Sequence, residues 1–117
     1  MEIGELKNLV TSQLSQIKNE ERRNCISAIL VEPFTEPREW DYSENTKHLC
    51  WVIAKPDEHS YFAYCEGGFG PSAPWGIISI DSSGSIGPDS CWYQFLEDLY
   101  IDAGPWGGEP PPAFEVR

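Results

Sequence analysis

The chain has 117 residues, 19 acids against 8 bases and a formal charge of −11, which makes it one domain large enough for a core of its own. Hydrophobic residues at 40% and aromatics at 13% exclude a disordered chain. A surplus of carboxylates repels phosphate, so nucleic acid and anionic membrane surfaces are excluded as partners.

The charge is unevenly spread. Residues 1–31 carry four acids and four bases, whereas 56–116 hold ten acids and not one Lys or Arg. Solubility is served by interspersed charges, and a one-signed surface repels itself. Such a half is a steering field for a cationic partner. The opening "MEIGELKNLV" shows no basic segment followed by an apolar run, and no apolar stretch is long enough to span a bilayer. The chain reads as cytoplasmic. Its cysteines, Cys25, Cys50, Cys65 and Cys91, lack C-x-x-C spacing and sit among apolar neighbours. They are expected to be reduced, structural thiols.

In chain order, Ile3, Leu6, Leu9, Val10, Leu14 and Ile17 recur at helical steps and predict a helix over 2–20. "CISAILV" continues the helix or begins a short strand. Pro33 ends any helix, and strands are expected from there. "REWDYS" (38–43) alternates, with Trp40 and Tyr42 on one face. "HLCWVIAK" (48–55) and "SYFAYCE" (60–66) flank the turn signal "PDE" and predict a hairpin. With Asp57 and Glu58 at its tip, Cys50 faces Cys65, Trp51 faces Tyr64 and Ile53 faces Phe62. Both faces of this hairpin are apolar, which puts it centrally in the sheet. "WGIISID" (75–81) is a further strand. "PDSCWYQFLEDLYIDAGP" predicts a helix beginning near Pro88, with Trp92, Phe95, Leu96 and Leu99 buried and Tyr93, Glu97 and Tyr100 outward. Residues 104–117 form a Gly/Pro-rich extended tail. The fold class is α+β: an N-terminal helix, a three- to four-stranded antiparallel sheet, a C-terminal helix and the tail, in a single domain over 1–117.

No catalytic pattern emerges. Cys50 follows His48 by two residues on one strand face, so a Cys–His pair would be local, and a buried cysteine beside an edge histidine is the plainer reading. "DEH" at 57–59 offers ligand atoms in a row, but adjacent turn residues rarely converge on one metal ion. "GGFGPS" has the glycines of a phosphate loop without its Lys-Ser/Thr pair. A carboxylate hydrolase needs a cleft that no pattern supplies.

The segment "YCEGGFGPSAPWG" (64–76) combines four glycines and two prolines with Tyr64, Phe69 and Trp75. Gly67 and Gly68 are expected to take positive φ and break the strand. The loop is either a structural corner or a stiff, preformed interface. Size, the base-free acidic stretch and this loop resemble the immunity proteins of bacterial toxin–immunity systems. That resemblance implies a cofactor-free, non-enzymatic inhibitor that binds a basic, nuclease-class toxin domain, with carboxylates standing in for phosphates. The residues expected at the partner surface are Asp57, Glu58, Glu66, Phe69, Trp75, Tyr93, Glu97, Asp98, Tyr100 and Asp102. The alternative is a non-catalytic adaptor or regulatory domain, open to homodimerisation.

Overall fold

The first helical stripe is real but is cut in two. The computed structural model describes residues 2–39, 47–80 and 91–102. α1 (Ile3–Ser15) ends before the stripe does. The amides of Gln16 and Ile17 then turn back to the Gln13 and Leu14 carbonyls at 3.2 and 3.1 Å, a tightened last turn. Asn19 takes extended geometry, and its side chain accepts the Arg22 amide at 3.0 Å, starting α2 (Glu20–Ile29). An asparagine at a cap satisfies an amide that the interior of a continuous helix has no need to offer, so the chain restarts here. The break also drops Ile17 into the core and frees its carbonyl for the Arg23 guanidinium at 2.9 Å. Asn19→Ala is expected to cost about 1 kcal/mol, read as a lower urea midpoint at unchanged slope.

α2 runs without a loop into β1 (Leu30–Glu39), so "CISAILV" does both things its sequence allows. The strand starts before Pro33 and passes through both Pro33 and Pro37. This is tolerated because β1 lies at the sheet edge, where an outward N–H has no ladder partner to lose. The same prolines blunt that edge against pairing with other chains. Of the strand expected at 38–43, Arg38 and Glu39 close β1; 40–43, with Trp40 and Tyr42, lie outside the described residues, as does the tail.

β2 (Lys47–Ala54), β3 (Ser60–Tyr64), β4 (Trp75–Ser79) and β5 (Trp92–Tyr93) complete an antiparallel five-stranded meander, β1-β2-β3-β4-β5. The hairpin is central. Trp51 faces Tyr64 and Val52 faces Ala63, in the expected register, but Phe62 pairs with Ala54 rather than Ile53. A bulge at that point lets two successive residues, Ile53 and Ala54, join Phe62 in one core. That core lies between the sheet and the helices. It also takes in Leu6, Ile17, Ile26, Trp75, Leu99 and Tyr100, and a fully buried side chain such as Phe62 contributes about 1.5–3 kcal/mol. The opposite sheet face buries Cys50, Val52, Ala63, Cys65, Ile78 and Trp92, with Phe69 packed against them.

The C-terminal element differs most from expectation. Trp92 and Tyr93 form a strand paired with Gly76 and Trp75, and α3 (Leu96–Asp102) begins only afterwards. Its first amide, at Leu96, donates to Gln13 Oε1 on α1 at 3.0 Å. The sheet therefore has five strands rather than three or four. Phe95 is 43% exposed rather than buried, and Tyr100 is buried rather than outward. Among the described residues no helix is long and apolar enough to cross a membrane.

Candidate functional site

The ten residues expected at a partner surface separate into five groups. At the β2–β3 tip, Asp57 accepts the His59 amide at 2.9 Å, closing the turn on itself, while Glu58 is exposed. Past the far end of β3, exposed Glu66 accepts the Tyr64 hydroxyl. Burial, followed by that bond and the Glu66 charge, raises the Tyr64 phenol well above its ordinary value.

Trp75 and Tyr100 are core residues, each 1% exposed, and neither can meet a partner. Register decides the first. Trp51, Tyr64, Trp75 and Tyr93 form a row across four strands on the helix-facing side, with Tyr64 and Trp75 edge-to-face at 4.8 Å. Tyr100 turns inward because α3 starts late, which rotates the stripe. Burial, then the charge and thiol of Cys25, push its phenol up to about 12, against Arg22. Phe69 is half-buried, its ring 6.2 Å from that of Trp92. The positive φ of the loop belongs to Gly70, at 87°, not to Gly67 or Gly68. The glycine-rich segment is thus fastened to the sheet at both aromatic ends.

The remaining four residues come together. Tyr93 stands close to Asp98 and Asp102: burial first, then Asp102, Cys91 and Asp98, raise its phenol. Asp98 is raised by burial and then by the charges of Asp102 and Glu97. Glu97 is partly spent, its Oε2 lying 2.8 Å from Arg22 Nη1. No basic residue occupies the last turn of α3, where a cation would be favoured and a carboxylate is not. Beside this cluster, α1 and α3 enclose a cleft of about 180 Å³ lined by Gln13, Gln16, Ile17, Phe95, Glu97 and Asp98. Carboxylates, amide groups and an exposed aromatic ring are the materials that receive a guanidinium or ammonium group.

Sequence reasoning missed a second constellation, on the other sheet face. Arg38 is 1% exposed and pairs with Glu36 at 2.8 Å. These two stand opposite His48 and Cys50 of β2. Cys50 and Cys65, expected to face each other, belong to the same buried cluster. The burial of an arginine in an edge strand carried no signal. Among the described residues no three His, Cys, Asp or Glu side chains are placed to hold a metal ion. Compared with models of known protein families, with functionally characterised proteins and with solved structures, the chain shows no significant match.

Proposed function

We propose that this chain is an immunity-type inhibitor that binds and neutralises a basic toxin domain, of nuclease class, through the acidic end of α3. The observation that carries the reading is the α1–α3 cleft, with Glu97 and Asp98 in its wall and Phe95 exposed beside it. Asp98 is raised by burial and then by the charges of Asp102 and Glu97, and an incoming Arg or Lys would relieve that repulsion. The base-free stretch from 56 to 116 would steer such a partner into place. Inhibition by this route occludes a substrate groove with carboxylates in place of phosphates, and it calls for no cofactor and no catalysis by the chain itself.

The test uses the full chain as bait in an extract of its native host, washed at low and at high salt, with retained proteins identified by mass spectrometry. One basic protein should survive the high-salt wash, and co-expression of the chain should rescue cells from that protein's toxicity. Asp98→Lys with Asp102→Lys should weaken the complex roughly a hundredfold, since like charges set against each other cost several kcal/mol. Retention of only neutral or acidic proteins, or a basic partner whose toxicity is unrelieved, would sink the reading. A second reading, a non-catalytic adaptor that is itself open to homodimerisation, is favoured by the exposed apolar side chains of Leu49 (59%) and Phe34 (42%). A neutral host protein, or a second copy of the chain, retained in place of a toxin would establish it.

A further inference from the structure

Along β2 the residues on the helix-facing side pass from exposed to buried. Leu49 is 59% exposed, Trp51 is half-buried and Ile53 lies in the core. The helices therefore cover only one end of this strand's face. Where the cover stops, a depression of about 260 Å³ opens, lined by Leu49, Trp51, Tyr64, Cys65 and Glu66. On β1 the residues paired with Trp51 and Leu49 are Thr35 and Pro37, and neither brings a charge to it.

Glu66 supplies the charge. It is exposed, and its Oε1 accepts the Tyr64 hydroxyl. Burial, and then that bond, raise the Tyr64 phenol well above its ordinary value, so the hydroxyl keeps its proton and remains the donor. The bond anchors the carboxylate beside the rings. Among the described residues, Glu66 Oε2 accepts no hydrogen bond and no Lys or Arg pairs with Glu66. Trp51 also opens the row of rings that continues through Tyr64 and Trp75 to Tyr93, three strand spacings or about 14 Å away. Tyr93 is the ring close to Asp98 and Asp102. The depression is thus a separate place from the α1–α3 cleft, at the opposite end of that row.

An apolar wall, an indole and one carboxylate oxygen with lone pairs to offer suit an aliphatic chain that ends in a cation. An anion would meet Glu66 and a chain of net charge −11. A neutral apolar group would press on the carboxylate and give it no hydrogen bond in return for lost water. Between the two cationic side chains, arginine is the more weakly hydrated. Its guanidinium stacks on an aromatic ring while its in-plane N–H groups remain free to bond a carboxylate. We propose that this depression receives an arginine side chain of the basic partner, with the guanidinium on Trp51, one N–H donated to Glu66 Oε2 and the methylenes against Leu49. The source of that arginine rests on the inhibitor reading, to which the depression adds an anchoring point away from α3.

The experiment titrates the isotope-labelled full chain with N-acetylarginine amide and follows the indole N–H signals by NMR. The Trp51 signal is assigned by its loss in Trp51→Phe. It should move saturably, with a dissociation constant in the millimolar range expected of so small a probe. The uncharged near-isostere, N-acetylcitrulline amide, should bind about tenfold more weakly, and the α-acetylated lysine amide about threefold more weakly. Glu66→Gln keeps an acceptor for Tyr64 but removes the charge, and it should weaken the arginine probe about threefold. Asp98→Asn with Asp102→Asn, at the other end of the row, should leave the Trp51 response unchanged. An unmoved Trp51 signal, equal binding of the citrulline or lysine probe, or an unchanged affinity in Glu66→Gln would overturn the proposal. So would a Trp51 signal that moves on dilution of the chain alone, which would put a second copy in the depression. The three probes decide the matter in the unmutated chain even if a variant fails to fold. No partner enters the titration, so its failure removes this site and leaves the α1–α3 cleft, whereas a pull-down without a basic protein strikes the inhibitor reading and not the site.

Discussion

Gly76→Ala is expected to cost the fold about 3 kcal/mol, near the top of the range for overpacking a filled core. A Cβ at this position would lie 2.3–2.5 Å from three atoms of the Trp92 indole, where carbon atoms need about 3.5–4.0 Å. Trp92 is buried, with Phe69 packed against it, and Gly76 and Trp92 are directly paired on β4 and β5. The indole has no free direction, so the strain falls on β5, which is two residues long. Its detachment would loosen the segment leading to α3. A domain of this kind has about 5–15 kcal/mol in hand, so the variant should still fold, with a much lower urea midpoint and altered near-ultraviolet dichroism from Trp92. Gly4→Ala supplies the comparison. Nothing lies within 4 Å of its would-be Cβ in α1, and alanine there should stabilise by about 0.5–1 kcal/mol. Equal midpoints for the two variants would show that the indole does not rest on Gly76.

Glu97→Ala should destabilise by about 3 kcal/mol, because it strands a buried guanidinium. Arg22 is 3% exposed, its Nη1 is held by Glu97 at 2.8 Å, and among the described residues its Nε has no hydrogen-bond partner. Among the described residues, Glu97 is the carboxylate paired with this arginine. The 30% exposure of the Glu97 side chain keeps the loss toward the low end of what breaking a buried pair costs. Arg22→Met removes the buried charge while keeping most of the packed volume and leaves Glu97, whose side chain is 30% exposed, able to turn to water, so it should cost less than Glu97→Ala. The double variant Arg22→Met/Glu97→Ala should recover most of what Glu97→Ala loses. Thermal or urea unfolding of the three proteins checks the order, and an Arg22→Met variant weaker than Glu97→Ala would mean that the pair is not what holds α2 to α3. The same geometry divides labour within the acidic cluster. Glu97 is engaged in holding the fold, which leaves Asp98 and Asp102 as the carboxylates available to the proposed basic partner.

The mixed fold class, the first helical stripe and the central hairpin were legible because each is written in a local period. Leu6, Val10 and Ile17 repeat at helical steps, and the apolar runs on either side of "PDE" allow few registers. That register alone brought Trp51 to Tyr64. Composition likewise showed that 56–116 holds ten acids and no Lys or Arg, the ground for proposing a basic partner. What the sequence left open depends on contacts between distant residues. Trp92 follows a strand rather than a helix because Gly76, sixteen residues earlier, leaves room for an indole on a neighbouring strand. That choice starts α3 late, buries Tyr100, exposes Phe95 and sets Asp98 and Asp102 beside Tyr93. Arg22 and Arg38 would pass for surface residues in any one-dimensional pattern, since charge normally marks solvent. Only folding, which supplies Glu97 from α3 and Glu36 from the same strand as counter-charges, lets them be buried. Periodicity determines which face of an element is apolar; which partner covers that face, and which charges can follow it inside, is decided by long-range packing.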